Sequence, residues 1–153
     1  MNAVVQQQAR IEPMSEKDVA AVLDIERRIY EFPWTRGNFL DSVRGGYSCW
    51  VYRGPSGLIG YAIITVAAGE AHLLNLSIAG RHQGRGHGGA FLSRLIEIAR
   101  AEGAATLYLE VRPSNEVGRR LYARHGFRCI GVRRDYYPAA SGREDAWVLS
   151  RVL

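Results

Sequence analysis

The sequence contains little cysteine and no long apolar run. Its 153 residues include two cysteines, Cys49 and Cys129, too far apart for a zinc or redox motif. Dense disulfide frameworks belong to small secreted chains, so we expect a reducing compartment. No apolar stretch approaches the roughly 20 residues that span a bilayer, and residues 1–8 have none of the regions of an export signal. We therefore expect a cytoplasmic protein without a membrane partner.

Lysine is nearly absent as well. Lys17 is the only lysine, so almost all of the positive charge lies on arginine. Residues 81–153 carry thirteen basic and seven acidic side chains, which places the excess positive charge in that half of the chain. Guanidinium groups bind phosphate and carboxylate in bidentate fashion. We expect this half to face an anionic ligand, a nucleic acid or an acidic partner.

No internal repeat, low-complexity tract or linker interrupts the chain. A chain of this length fits one compact domain, so we expect residues 1–153 to form a single domain whose residues 1–8 are flexible. Helical periodicity and capping residues predict helices after Ser15, after Thr35, before Gly103 and over about 114–125. Runs rich in β-formers predict strands over residues 9–13, 47–53, 58–67, 70–78, 106–111, 127–132 and 146–153.

The resulting order, βααβββαβαββ, is typical of a mixed α/β layer architecture. Residues 133–145 are polar and contain tyrosine, proline and glycine. We therefore expect a loop between the last two strands.

A glycine-rich segment is the most distinctive feature of the sequence. It reads Gln83-Gly84-Arg85-Gly86-His87-Gly88-Gly89 and lies between a predicted strand and a predicted helix. Glycine lets the backbone approach a ligand closely, and the first N–H groups of a helix lack internal acceptors. Together with the helix dipole these groups form an anion site suited to a pyrophosphate. A plain flexible turn is the alternative.

The same glycines also fit a dinucleotide fingerprint, Gly84-x-Gly86-x-x-Gly89, with Glu110 about 20 residues further on. That fit is weak because only 43 residues follow Glu110, too few for repeated βαβ units. The motif also follows an antiparallel meander rather than a first strand. A Walker A loop is excluded because the sequence has no Gly-Lys-Ser/Thr.

The pattern Gln83-x-x-Gly86-x-Gly88 resembles the pyrophosphate loop of the GNAT acetyltransferases, and the predicted order of elements matches their fold over nearly the whole chain. Further motifs resemble the RimI subgroup, the ribosomal-protein-alanine N-acetyltransferases. These motifs are Phe32-Pro33-Trp34, Leu109 to Asn115, Leu121-Tyr122, Gly126-Phe127, Arg134-Asp135-Tyr136-Tyr137 and Gly142 to Ala146. The resemblance implies an α/β GNAT acyl-CoA N-acyltransferase fold, with a mixed, mostly antiparallel sheet flanked by helices.

The resemblance also implies a function and a site. It implies transfer of the acetyl group of acetyl-CoA to an N-terminal amine, with alanine first, of a small-subunit ribosomal protein. Glu110 corresponds to the general base and Tyr122 to the general acid. Implied contacts to acetyl-CoA are Leu76, Ser77, Ile78, Gln83, Gly84, Arg85, Gly86, His87, Gly88, Gly89 and Asn115. Implied contacts to the protein substrate are Phe32, Trp34, Arg134, Tyr136 and Tyr137. We expect no metal, no direct nucleic-acid role and a monomer.

The residues themselves leave other roles open. Glu110 could be an exposed strand end or a partner of Arg112, Tyr122 could simply pack on its helix, and Asn115 could be only a helix cap. We interpret His72 as a structural strand residue, since no histidine pair has the spacing of metal ligands.

Two other functions also remain open for the whole chain. One is a GNAT enzyme that acts on a small amine or a lysine. The other is a non-catalytic module that binds RNA or the ribosome, because Arg133 and Arg134 lie beside two tyrosines.

Gly80, Gln83 and Gly118 stand where the family more often has proline, arginine and alanine. None of these departures touches the implied reacting groups.

Overall fold

The computed structural model describes residues 9–153, so the expected flexibility of residues 1–8 falls outside the described residues. Across residues 9–153 there are seven β-strands and four α-helices. The strands are β1 (Arg10–Pro13), β2 (Ser48–Gly54), β3 (Gly57–Ala67), β4 (Glu70–Ile78), β5 (Thr106–Val111), β6 (Arg128–Ala139) and β7 (Gly142–Val152). The helices are α1 (Val19–Ile29), α2 (Arg36–Arg44), α3 (His87–Ala101) and α4 (Glu116–Arg124). None of these helices is long and apolar enough to span a membrane.

The strands form one sheet in the order β1-β2-β3-β4-β5-β7-β6. β2 is antiparallel to β1 and to β3, and β7 is antiparallel to β5 and to β6. β4 and β5 run parallel, an arrangement that requires a crossover connection, which α3 provides. The predicted mixed, mostly antiparallel sheet flanked by helices is confirmed.

The prediction of a loop over residues 133–145 is wrong. β6 and β7 continue as a hairpin to Ala139 and Gly142, with a register shift between Arg133 and Tyr137. Asp135 adopts a φ of 50° at this irregularity, where the chain bulges. β6 lies at the edge of the sheet. An edge strand tolerates charged residues and proline that a central strand excludes. The polarity of the segment therefore indicated an edge strand rather than a loop.

The chain divides into two compact units. The first consists of residues up to Ile64 together with Asn75–Leu92, and the second of Thr65–Leu74 and Ser93–Leu153.

In the first unit, α1 buries an apolar stripe with helical spacing, as its sequence predicts. Thr35 is the N-cap of α2, as expected, and its side chain accepts the N–H of Asn38. The most deeply buried side chains of this core are Val19, Val22, Phe39, Val51, Tyr61 and Ile63.

A carboxyl group lies inside this first core. Glu26 lies on the buried, otherwise apolar stripe of α1 and is only 2% exposed. Its Oε2 accepts the backbone N–H of Trp34 at 2.9 Å, and its Oε1 accepts the Tyr61 hydroxyl at 2.7 Å and the Asn75 amide at 3.1 Å. Buried polar groups are tolerated when they are hydrogen-bonded in this way. Glu26 thereby joins α1 to the α1–α2 link and to two strands.

The second unit shows the alternation that its strands predict. Along β5, Leu107, Leu109 and Val111 are buried, whereas Tyr108 and Glu110 point to the other side. β7 contributes Ala146 and Leu149 to the buried residues of this unit. Glu110 therefore comes from a strand whose orientation is fixed by three apolar side chains.

We predict that Glu26→Ala lowers the free energy of unfolding by at least about 2 kcal/mol, because each buried group left unpaired costs about 1–3 kcal/mol. Asp24→Ala in the same helix is the matched control, since Asp24 is 62% exposed and pairs with Arg28, which is exposed as well. That control should change stability by no more than about 0.5 kcal/mol. Urea unfolding of both variants measures the difference. Equal losses would contradict a structural role for Glu26.

Candidate active site

The glycine-rich segment belongs to the first unit and has the backbone geometry that glycine allows. Gly84 and Gly86 adopt φ angles of 73° and 84°, a region that other residues rarely occupy. Apart from the glycine and its two chain neighbours, no heavy atom of the described residues lies within 4 Å of the position that a Cβ would take at Gly84 or Gly86. The glycines are therefore required by the turn, and the space above their backbone is open.

Two side chains of this segment are engaged within the fold. The Gln83 side-chain amide donates to the carbonyl of Ile78 at 2.9 Å and ties the segment to the end of β4. His87, expected in the loop, is instead the first residue of α3, with its ring 5.6 Å from that of Tyr52. Gly88 and Gly89 follow it in the first turn, whose N–H groups lack helical acceptors. Arg85 is exposed beside them.

The end of β4 presents mainly its backbone. Leu76 and Ile78 are half-buried, whereas Ser77 is 2% exposed. The Ser77 hydroxyl donates to the Asn75 side chain at 2.6 Å and lies 2.6 Å from the Tyr30 hydroxyl. The hydroxyl of Ser77 therefore belongs to the polar network of the core.

Phe32 and Trp34, between α1 and α2, also lie in the first unit. Phe32 is 43% exposed. The Trp34 ring is half-buried, 5.2 Å from that of Phe39, and its backbone N–H is held by Glu26. The link between the helices thus presents one exposed aromatic side chain beside one that is anchored.

Glu110 lies in the second unit in a cluster with His72 and Arg133. The Glu110 side chain is 8% exposed, and its Oε2 contacts Nε2 of His72. Its Oε1 lies 3.3 Å from Nε of Arg133. Where the sequence offered Arg112 as a partner of Glu110, the structure pairs Glu110 with His72 and Arg133 and places Arg112 3.2 Å from Glu144. The alternative of an exposed strand end is wrong, because the Glu110 side chain is buried.

This cluster keeps Glu110 ionised. Burial raises the pKa of Glu110. The hydrogen bond and charge of His72, together with the charge of Arg133, lower this pKa by more than burial raises it. The pKa of Glu110 therefore lies below its ordinary value of 4.5. The result at neutral pH is a carboxylate with lone pairs free for a further donor.

Asn115 and Tyr122 belong to α4 in the same unit. Asn115 is the N-cap, and its Oδ1 accepts the N–H of Gly118 at 2.9 Å. A Cβ at Gly118 would lie 2.6 Å from the Asn115 amide nitrogen, so a larger residue there would require the Asn115 side chain to shift. The Tyr122 ring packs edge-on against Phe127 with centroids 5.6 Å apart. Both interpretations that the sequence offered for these residues, cap and packing, are therefore observed.

The remaining predicted residues lie on β6. Arg134 and Tyr136 are exposed, whereas Tyr137 is half-buried beneath the Arg112 guanidinium, which lies 4.3 Å from the ring centroid. Burial raises the pKa of the Tyr137 hydroxyl. The two tyrosine rings meet edge to face at 4.8 Å. Residues 9–153 contain no group of three or more histidine, cysteine or acidic side chains that could hold a metal ion.

The sequence interpretation missed His72 and Glu26. His72 is opposite Tyr108 in the β4–β5 register, which brings it to the side of β5 that carries Glu110. Period-2 alternation predicts which side chains of a strand share a face. It does not predict which strands become parallel neighbours, because a long crossover separates them in the sequence. A glutamate on the apolar stripe of α1 was a signal that could have identified Glu26.

Residues 19–127, more than half of the chain, match the acetyltransferase (GNAT) family. The chain belongs to the acetyltransferase (GNAT) family. The [ribosomal protein bS18]-alanine N-acetyltransferase of Haemophilus ducreyi is 34% identical to this GNAT chain, over 94% of the chain and 99% of the relative. These findings confirm the fold family and the RimI-like character expected from the motifs.

Solved structures agree with this assignment. The ribosomal-protein-S18-alanine N-acetyltransferase from Escherichia coli has a TM-score of 0.88 and 34% identity, covering 94% of this chain and 93% of that chain. An Arabidopsis thaliana NAA60 in complex with acetyl-CoA has a TM-score of 0.83 at 18% identity, covering 95% and 98%. The second likeness concerns the fold alone.

The lowered pKa of Glu110 predicts how stability depends on pH. A carboxyl group whose pKa is lower in the folded state stabilises the protein above the unfolded pKa and loses this effect as pH falls through the folded pKa. We expect the stability advantage of the wild type over Glu110→Gln to be constant above about pH 6 and to shrink below about pH 4.5. Urea unfolding at several pH values measures it. An advantage that grows on acidification would contradict the lowered pKa.

Proposed function

We propose that this protein transfers the acetyl group of acetyl-CoA to the N-terminal amine of a protein, with alanine preferred as the first residue. A small-subunit ribosomal protein is the proposed substrate, and the cytoplasm is the proposed place of action. The observation that carries the proposal is the match, over 94% of the chain, to an enzyme named for this reaction. The cluster around Glu110 supplies an ionised carboxylate, the form of the group that can accept a proton.

Acetyl-CoA fits the first unit chemically. The open space above Gly84 and Gly86 and the first N–H groups of α3, which have no acceptor within the helix, suit a pyrophosphate. Arg85 adds positive charge there, and the bond from Gln83 to Ile78 holds the segment in place. In our proposal the backbone of residues 76–78 binds the pantetheine amides, and Asn115 also contacts the cofactor. Acetyl-CoA supplies the activated acetyl group.

Glu110 acts as the general base in this proposal. A protein α-amino group has a pKa of about 7.7–8.0, so much of it is protonated at pH 7, and only the neutral amine attacks a thioester. The Glu110 carboxylate accepts that proton, directly or through one water. Backbone N–H groups of residues 76–78 stabilise the negative charge that develops on the carbonyl oxygen. Tyr122 donates a proton to the departing thiolate.

The substrate class follows from the same acid–base argument. A lysine side chain has a pKa near 10.4 and is harder to deprotonate than an α-amino group. We assign Phe32, Trp34, Arg134, Tyr136 and Tyr137 to the binding of the protein N-terminus. The alternative of an RNA-binding patch loses support because Arg133 pairs with Glu110 and Tyr137 lies under Arg112.

A peptide panel tests the proposed substrate. We expect peptides that begin with alanine to be acetylated faster than those that begin with leucine or phenylalanine, because overpacking a small site costs about 1–3 kcal/mol. Intact mass with acetyl-CoA present gives the rates, and a peptide with a blocked N-terminus and an internal lysine is the control. Faster acetylation of that lysine would show that the target class is wrong.

Two conservative substitutions test the proposed acid–base pair. Glu110→Gln and Tyr122→Phe should each lower kcat by about 10²–10⁴, because each removes a proton-transfer group. Calorimetry should show nearly unchanged affinity for acetyl-CoA. Glu97→Gln and Tyr47→Phe are the matched controls on exposed residues and should keep the kcat of the wild type. Normal kcat in both test variants would remove these residues from the chemistry.

A further inference from the structure

His72 contacts Glu110 although its place in the sequence suggests only a strand residue. It lies on β4, opposite Tyr108 in the parallel register with β5, and therefore on the side of the sheet to which Glu110 points. Its Nε2 meets Oε2 of Glu110. An ionised carboxylate only accepts hydrogen bonds, so the imidazole is the donor.

The burial of Glu110 gives this contact more weight than an ion pair at the surface. At 8% exposure, the carboxylate has little access to water and depends on protein donors. Arg133 alone is a weaker restraint, since its side chain is 57% exposed and its Nε lies 3.3 Å from Oε1. His72 is 34% exposed and reaches Oε2 through a short side chain from a strand inside the sheet. His72 is therefore the better-fixed of the two donors.

Two donors on different oxygens also fix the plane of the carboxylate. The terminal torsion of a glutamate is broad, so one hydrogen bond leaves the group free to rotate. With His72 on Oε2 and Arg133 on Oε1, both oxygens are restrained. Each oxygen keeps a second lone pair, which can accept the proton of an incoming amine.

We propose that His72 is a positioning residue of the acetyl-transfer reaction, which holds the Glu110 carboxylate in the orientation that accepts the proton of the substrate amine. This inference rests on the proposed role of Glu110 as the general base. His72 itself does not exchange a proton with the substrate. The reaction requires only that its Nε2–H donates to Oε2.

Variants of His72 separate this role from simple packing. His72→Ala removes the donor. His72→Asn keeps an amide donor, but its side chain is too short to reach Oε2 of Glu110. His72→Gln places an amide nitrogen near the position of Nε2. We expect the alanine and asparagine variants to lower kcat by up to about 100-fold, because misplacing a reacting group has that effect. KM for acetyl-CoA should stay within about twofold, and His72→Gln should recover most of kcat.

His125→Ala is the matched control, because His125 belongs to the same unit and its ring bonds to the Ser93 hydroxyl and the Leu121 carbonyl. It should keep the kcat of the wild type. Far-ultraviolet circular dichroism and urea unfolding confirm that each variant is folded. If His72→Ala does not fold, the comparison between the asparagine and glutamine variants decides the question. Equal kcat in these two variants would overturn the proposal.

The double variant tests whether His72 acts through Glu110. In a Glu110→Gln background, His72→Ala should lower kcat by less than about twofold, since residues that act together are not additive. A full additional loss in that background would overturn the positioning role. Unchanged kcat in Glu110→Gln alone would instead overturn the proposed base, so the two failures are distinguishable.

Discussion

A buried carboxyl group must receive hydrogen bonds, and this constraint shapes both units of the protein. In the first unit Glu26 is held by Trp34, Tyr61 and Asn75, all of them neutral donors. In the second unit Glu110 is held by His72 and Arg133, one donor that can carry positive charge and one that always does. The first arrangement ties helices and strands together. The second keeps a carboxylate ionised at neutral pH, the only form of the group that can accept a proton.

The sequence predicts the elements well because local patterns determine them. The alternation along β5 gives the buried face and places Glu110 on the other one, as observed. The glycines at positions 84 and 86 indicate a turn that side chains would not allow. His72 and Arg133 could not be found in this way, since their contact with Glu110 depends on which strands become neighbours. The hairpin of β6 and β7 was missed for a related reason, because edge strands lack the apolar alternation on which the prediction rests.

Physical chemistry and family membership contribute different parts of the functional conclusion. The glycine-rich segment alone indicates an anion site, and it also fits a dinucleotide fingerprint, although weakly. Membership of the GNAT family decides between them, and the named relatives supply the substrate that we propose. The structure adds what neither could provide. It shows how a glutamate at the end of an apolar strand stays ionised although it is buried, and which two side chains hold it.

The central claim is that Glu110 accepts the proton of the substrate amine. A crystal structure with an inhibitor that links CoA to the N-terminal amine of an alanine peptide tests this claim most directly. The account predicts that the amine nitrogen lies about 2.6–3.2 Å from a carboxylate oxygen of Glu110, or is joined to it through one ordered water. An amine nitrogen that meets another base, with Glu110 beyond the reach of one water, would contradict the account.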